Sequence, residues 1–266
     1  MPNTNILQHY ATLHAAYLHA MGEQGTEYLL EHLPLHGTER VLELGFGTGA
    51  TMVKLKSRFP KLALSGLEAD PGMLAAATAR LRFCRLAGQV ELLLQQERER
   101  IPEGSSDLVY VESVLAILDE STFTDTLGFL LSILKPGGLL AVNESIWHSN
   151  ILPSEIQAIN SKCLQKFGII QCSEHMAGVE KTGAYFEQFG FKTLSATRMG
   201  AMEKPPVTAR HIREYASRLY TLLGKARLWF QPKLWKTHAR YSSEMQHIFD
   251  PGREYLSGTL LLFQKV

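Results

Sequence analysis

Three glycines at alternate positions, Gly45, Gly47 and Gly49, follow the apolar run Val41-Leu42-Glu43-Leu44 and precede a helical stretch beginning at Ala50. Such a run permits a tight turn and lets backbone N–H groups come close to a ligand. The helix N-terminus beyond the turn attracts negative charge or a carboxylate. One acid, Glu43, precedes the loop. A second, Glu68, lies 19 residues beyond Gly49, at the end of Leu64-Ser65-Gly66-Leu67. A carboxylate there can accept two hydrogen bonds from the hydroxyls of a ribose. Loop and acid together, on the first two strands of one βαβ unit, read as a ligand site rather than a bare turn. The G-x-G-x-G pattern departs from the dinucleotide pattern G-x-G-x-x-G/A, because its third glycine comes one residue early.

Ligands of open α/β sheets lie outside the carboxyl ends of the strands. Glu112 follows the fourth strand-like run and Glu144 the fifth, so both are candidates to face a ligand; Glu144 could equally cap the next turn. Cys172-Ser173-Glu174-His175 has C-x-x-H spacing without a second half, so no metal site is expected. The Cys172 and His175 pair remains a candidate lining of a substrate pocket. His9, His14 and His19 stand five apart, which spreads them around a helix instead of aligning them. No G-x-S-x-G nucleophile elbow occurs.

The elements that position these residues follow from periodicity. Two helical stretches over residues 5–33 are separated at Gly22 and Gly25. Strands are expected at Arg40–Leu44, Leu62–Leu67, Val90–Leu94, Asp107–Val111 and Leu139–Asn143, with helices at Ala50–Phe59, Pro71–Leu86 and Phe123–Leu134. Lys135-Pro136-Gly137-Gly138 is a strong turn signal. Later come helices at Pro153–Phe167 and Glu180–Phe189, strands at Phe191–Arg198 and Gly258–Val266, and a mostly helical segment between those strands. The expected fold is α/β: a doubly wound, Rossmann-like, mainly parallel seven-stranded sheet with N-terminal helices and a helical insertion before the last strand. The expected division is an N-terminal helical cap over 1–37, a core over 38–200, an insertion or lid over 201–257, and a final core strand over 258–266.

Hydrophobic residues make up 45% of the 266 residues and charged residues 20%, an ordinary globular balance. Three cysteines without framework spacing suit a reducing, cytoplasmic compartment. The first residues, MPNTNILQHY, lack the marks of a signal peptide, and no apolar run approaches roughly 18 residues, so no membrane span is expected. The formal charge of +1 conceals an asymmetry. Residues 204–240 hold Lys204, Arg210, Arg213, Arg218, Lys225, Arg227, Lys233, Lys236 and Arg240 against the single acid Glu214. Leu222, Trp229, Phe230 and Trp235 interleave with them. One reading is a helical lid whose apolar face packs on the core and whose cations are solvated. The other is a cap over an anionic, partly apolar molecule, or a peripheral contact with an anionic membrane.

Over residues 38–145 the chain resembles class I S-adenosylmethionine-dependent methyltransferases, of the small-molecule type related to ubiquinone and menaquinone C-methyltransferases. Four parts match in order: Glu43-Leu44-Gly45-Phe46-Gly47-Thr48-Gly49; Glu68 with Ala69-Asp70-Pro71-Gly72-Met73-Leu74; Ile101-Pro102-Glu103-Gly104-Ser105-Ser106-Asp107-Leu108-Val109; and Leu134-Lys135-Pro136-Gly137-Gly138. The resemblance implies S-adenosyl-L-methionine as cofactor, with its methionine moiety on the loop backbone and its ribose on Glu68. The family's aspartate at the third strand's end is absent; Gln95, Gln96 or Glu97 would meet the adenine amine instead. The fourth strand ends without the family's frequent histidine, and Val111-Glu112-Ser113-Val114 does not match the Asn/Asp-Pro-Pro-aromatic motif of nucleic-acid amino-methylating enzymes. A small-molecule acceptor is therefore expected and nucleic acid is not. His148 and His175 follow the fifth strand, in the region that covers the pocket in relatives, and are candidate bases. A non-catalytic cofactor-binding protein is the alternative, and a nicotinamide dehydrogenase, disfavoured by the glycine spacing, is third.

Overall fold

In the computed structural model, which describes residues 5–18, 22–198 and 206–266, seven strands form one sheet. The strands are β1 (Arg40–Leu44), β2 (Ala63–Glu68), β3 (Glu91–Leu94), β4 (Ser106–Glu112), β5 (Leu134–Trp147), β6 (Phe191–Arg198) and β7 (Leu256–Lys265). Their spatial order is β3-β2-β1-β4-β5-β7-β6. The first five strands are mutually parallel, and β7 runs antiparallel between β5 and β6. This is the expected doubly wound class.

Alternation along the central strands builds two cores. Leu42, Leu44, Val109, Val111, Leu140 and Val142 face one side. Val41, Leu108, Tyr110 and Ala141 face the other. Successive side chains of a strand point to opposite faces, so a strand buried on both reads as a continuous apolar run. Helices α3 (Ala50–Arg58) and α4 (Pro71–Phe83) supply Met52, Val53, Leu55, Ala77 and Leu81 to the second core. Helices α5 (Glu120–Ile133), α6 (Pro153–Phe167) and α7 (Val179–Glu187) supply Phe123, Ile156 and Phe186 to the first.

Three expectations are corrected. Gly22 and Gly25 do not separate two helices: α1 covers only Ile6–Thr12, and both glycines fall inside α2 (Gly22–His32). His14 therefore lies beyond α1, whereas His19 lies outside the described residues. The Lys135–Gly138 turn does not precede β5 but bulges within it, because Ser106 pairs with Leu134 while Leu108 pairs with Leu139. The third correction concerns the insertion, whose start at 201, with Lys204, also lies outside the described residues. It forms a hairpin of α8 (Ile212–Phe230) and α9 (Pro232–Gln246). The apolar face of α8 points outward: Ile212, Tyr215, Leu219, Leu222, Trp229 and Phe230 are exposed, while Glu214, Ser217 and Gly224 are buried.

The inversion has a cause in the residues beneath α8. Glu214 accepts from Arg58, which with Lys54 also holds the buried Glu27. Ser217 accepts from Arg80. At Gly224 an added Cβ would lie 2.1 Å from the Leu13 carbonyl, so only glycine lets α8 close on the N-terminal segment.

Candidate functional site

The loop after β1, the end of β2 and the segments after β3 and β4 surround a cavity of about 360 Å3. Its floor holds Glu43, Gly45, Phe46, Gly47, Thr48, Glu68, Ala69, Gln95 and Glu112, and its roof holds Asn5, Leu7, Tyr17 and Leu18. Of the cofactor-binding candidates named from the sequence, Gly49, Gln96 and Glu97 do not line it. Gly49 serves as the left-handed N-cap of α3 at φ 74°. Gln96 is exposed, and the Glu97 carboxylate turns back to the Leu94 amide and Arg100.

Glu68 is fixed by backbone donors. Its Oε2 accepts from the Gly47 N–H at 2.8 Å, and its Oε1 accepts from the Ala69 and Asp70 N–H groups. Burial raises its carboxyl above the ordinary range, with the three N–H groups pulling against that. Glu43 is buried at the cavity wall, and its Oε2 has no hydrogen-bond partner among the described residues. Burial and then the neighbouring Glu112 and Glu68 hold its carboxyl well above the ordinary value. Glu112 reaches the cavity with its carboxylate already bridged by Thr26, Thr51 and Asn143 Nδ2. It therefore ties α2, α3 and β5 to β4.

These residues fit the group implied by the sequence. A cavity wall with an orphaned buried carboxyl suits a cationic centre. The Glu68 carboxylate, at the loop's opening, suits hydroxyl donors. Gly47 faces open space, with nothing within 4 Å of an added Cβ. Gln95 is the one member of its trio that lines the cavity.

The two candidate histidines are placed elsewhere. His175 stacks on Tyr185 and leans on Phe123. His148 donates its backbone N–H to the Tyr255 carbonyl, and its Nε2 has no partner among the described residues. Neither lines the cavity, and the Cys172 thiol is buried against the Ser145 carbonyl.

Sequence reasoning missed the roof and its anchor. Arg80 is fully buried on α4. Its guanidinium donates to Thr48 O at 2.8 Å in the glycine loop, to His14 O at 2.7 Å in the roof, and to Ser217 Oγ at 2.9 Å in α8. The only signal was an arginine on the helix stripe that also holds Met73, Ala77 and Leu81. Further ties hold the roof: Gln8 donates to Asp70, Arg227 to Thr12 O, and Thr48 Oγ1 to Ala15 O. The α8–α9 hairpin thus clamps the segment that covers the cavity and does not itself line it.

Comparison with known proteins agrees with this geometry. Residues 41–138 match a methyltransferase domain model. Trans-aconitate 2-methyltransferase from Methylobacterium radiotolerans is 37% identical over 43% of this chain and 41% of its own length. The enzyme of that name from Escherichia coli is 31% identical over 47% of this chain and 48% of its own. The chain thus spans less than half the length of these curated relatives. A methyltransferase from Thiobacillus denitrificans, solved with S-adenosyl-L-homocysteine, shares the fold at a TM-score of 0.61, 18% identity and 97% coverage of both chains. Geranyl diphosphate C-methyltransferase from Streptomyces coelicolor shares it at 0.60 and 13% identity, over 92% of this chain and 77% of that one. Residues 41–138 of this chain therefore match a methyltransferase domain, and the chain shares the fold of these solved methyltransferases.

Proposed function

We propose that the chain transfers a methyl group from S-adenosyl-L-methionine to a small-molecule acceptor. The observation that carries this is the meeting of the Gly45–Thr48 loop, Glu68 and Glu43, whose Oε2 has no partner among the described residues, in one cavity. The cofactor, when bound, supplies a sulfonium-activated methyl group. The chain's own residues bind and align. The loop and the α3 N-terminus receive the carboxylate, Glu43 offsets positive charge, Glu68 accepts from the ribose and Gln95 accepts from the adenine amine. The roof over residues 5–18 excludes water, and in-line alignment is the main contribution asked of the protein. No base is assigned to His148 or His175, since neither reaches the cavity. Calorimetric titration with S-adenosylmethionine and its demethylated product, followed by transfer of labelled methyl to cell-extract metabolites, tests the reading. Heat with NAD and none with either sulfur ligand would refute it, and binding without transfer to any extract would leave the non-catalytic alternative.

The acceptor was expected to be anionic or lipid-like. Among the described residues no Lys, Arg or His lines the cavity, which favours the lipid-like branch over an anion such as the trans-aconitate of the relatives' names. The outer face of the hairpin supports the same branch. Exposed Leu222, Trp229, Phe230 and Trp235 lie among exposed Lys225, Lys233 and Lys236. Aromatic and aliphatic groups flanked by lysines suit the boundary of an anionic bilayer. Among the described residues no helix is long and apolar enough to cross a membrane. The contact proposed is therefore peripheral.

A further inference from the structure

A second chamber of about 350 Å3 adjoins the first. The two share Leu7, Leu18, Ser113, Ile117 and Ile169 as a common wall. The second is walled by Ile6, Phe167, Ile170, Met245, Ile248 and Phe249, and among the described residues no Lys, Arg or His lines it. Its one fully buried polar side chain is Glu144. One oxygen of Glu144 is committed: Oε1 accepts from the Val114 and Leu115 N–H groups, both at 2.8 Å. The other, Oε2, is buried without a partner among the described residues. A buried polar atom left unpaired in an apolar chamber is costly unless a ligand completes it.

We propose that this second chamber is the methyl-acceptor site, and that it takes a neutral, mainly apolar molecule whose carbonyl or hydroxyl oxygen is held by Glu144 Oε2. The assignment rests on the first cavity being the cofactor site, since the methyl group would cross at the shared wall. Glu144 can act as donor there. Burial, opposed by the Leu115, Val114 and Ala116 backbone N–H groups, pushes its carboxyl up to about 8, so at neutral pH the protonated form predominates. An anionic acceptor would be doubly disfavoured, meeting apolar walls and the carboxylate of Glu112 close behind Glu144. No covalent step is asked of Glu144: it positions the acceptor.

The test uses decanol and decanoate as probes on the full chain at neutral pH, with and without saturating S-adenosyl-L-homocysteine. Saturation-transfer NMR reads probe binding, and calorimetry reads the sulfur ligand. Decanol is expected to bind, and decanoate at least tenfold more weakly. Glu144→Gln keeps an amide donor and should bind decanol within about twofold of wild type, whereas Glu144→Leu should lose about threefold to tenfold, the range of one neutral hydrogen bond. Should Glu144→Leu fail to fold, Met245→Trp fills the chamber from its half-exposed side and should abolish decanol binding while homocysteine-ligand binding persists. Homocysteine-ligand binding with no decanol binding, or with decanoate as tight as decanol, would overturn the acceptor assignment alone. Absence of homocysteine-ligand binding would overturn the cofactor reading and the assignment with it.

Discussion

The Gly47 N–H donates to Glu68 Oε2 at 2.8 Å, so the glycine loop and the end of β2 are held by one carboxylate. That carboxylate already accepts three N–H groups, near the four it can accommodate. Ribose hydroxyls must therefore share or displace one of them. Glu68→Ala is expected to weaken S-adenosylmethionine binding by about tenfold or more, given roughly 1.5–3 kcal/mol for each bond to a charged acceptor. Calorimetry checks this, with circular dichroism to show that the fold persists. Unchanged affinity would move the ribose contact elsewhere.

Gly47→Val should be worse than Glu68→Ala. Gly47 sits at φ 51°, where a β-branched residue is strained, and its Cβ would project into the cavity's open space. Gly45, at φ 70°, shares that backbone strain, and in Gly45→Ala the Cβ would in addition lie 2.1 Å from Val114 Cγ2. Gly47→Val is expected to melt within a few degrees of wild type and lose cofactor binding, whereas Gly45→Ala should lose both stability and binding. Equal melting losses in the two would contradict the assignment of Gly47 to the ligand.

Glu43 gives cofactor binding a pH dependence. Its carboxyl is held well above the ordinary value in the free protein, by burial and then by Glu112 and Glu68. A cation placed against it favours the carboxylate and lowers that value, so binding releases a proton. Affinity should rise with pH between the bound and free values, by at most about tenfold per unit, and level off above the free value. Stability of the free protein should run the other way, falling as pH rises from the unfolded chain's value of 4.5 through the raised one. Glu43→Gln should make both profiles shallower, with Glu68 and Glu144, also raised by burial, keeping part of the stability slope. Parallel slopes in wild type and variant would reject the contact.

Arg80 joins loop, roof and hairpin. Arg80→Gln removes bonds to three segments and strands buried carbonyls, so a loss of about 3 kcal/mol or more is expected in denaturant unfolding. Amide exchange over residues 5–18 should accelerate more than in the central strands. Arg80→Lys should not rescue, because an ammonium lacks the planar fork that reaches three partners. Uniform exchange across the chain would deny the clamp.

The outward face of the α8–α9 hairpin is tested by sedimentation with vesicles. Wild type should pellet with anionic vesicles and not with zwitterionic ones. Lys225, Lys233 and Lys236 replaced together by Gln should weaken this by about 1 kcal/mol per residue, and Trp229→Ser with Phe230→Ser should abolish it. Arg227 is spared in this set because it donates to Thr12 O. A stable dimer without vesicle binding would assign the face to a second copy instead.

The strands were legible because a doubly buried parallel strand is a short apolar run whatever surrounds it, as at Val41–Leu44 and Leu108–Val111. The loop and Glu68 were legible because backbone geometry demands glycine and a strand end fixes the acid. What stayed hidden depends on distant partners. The helix expected to continue past Thr12 stops there, and the carbonyls of Thr12, His14 and Ala15 are taken by Arg227 and Arg80 from other helices. The apolar stripe of α8 suggested a core-facing side, but Arg58 and Arg80 claim Glu214 and Ser217, and the helix turns its leucines outward. Glu144 was visible as a possible cap, while its second oxygen and the chamber around it needed α6 and the end of α9 in place.

Two of the three buried cysteines give this architecture a built-in clock. Cys163 sits in the wall of the second chamber, and Cys84 caps α4 beneath the hairpin. Burial pushes both thiols up to about 11, so in the closed protein they are shielded and almost wholly protonated near pH 8. Alkylation then proceeds only as fast as each region opens. The labelling rate of Cys163 times the exposure of the second chamber, the rate of Cys84 times detachment of α8, and their ratio separates one motion from the other.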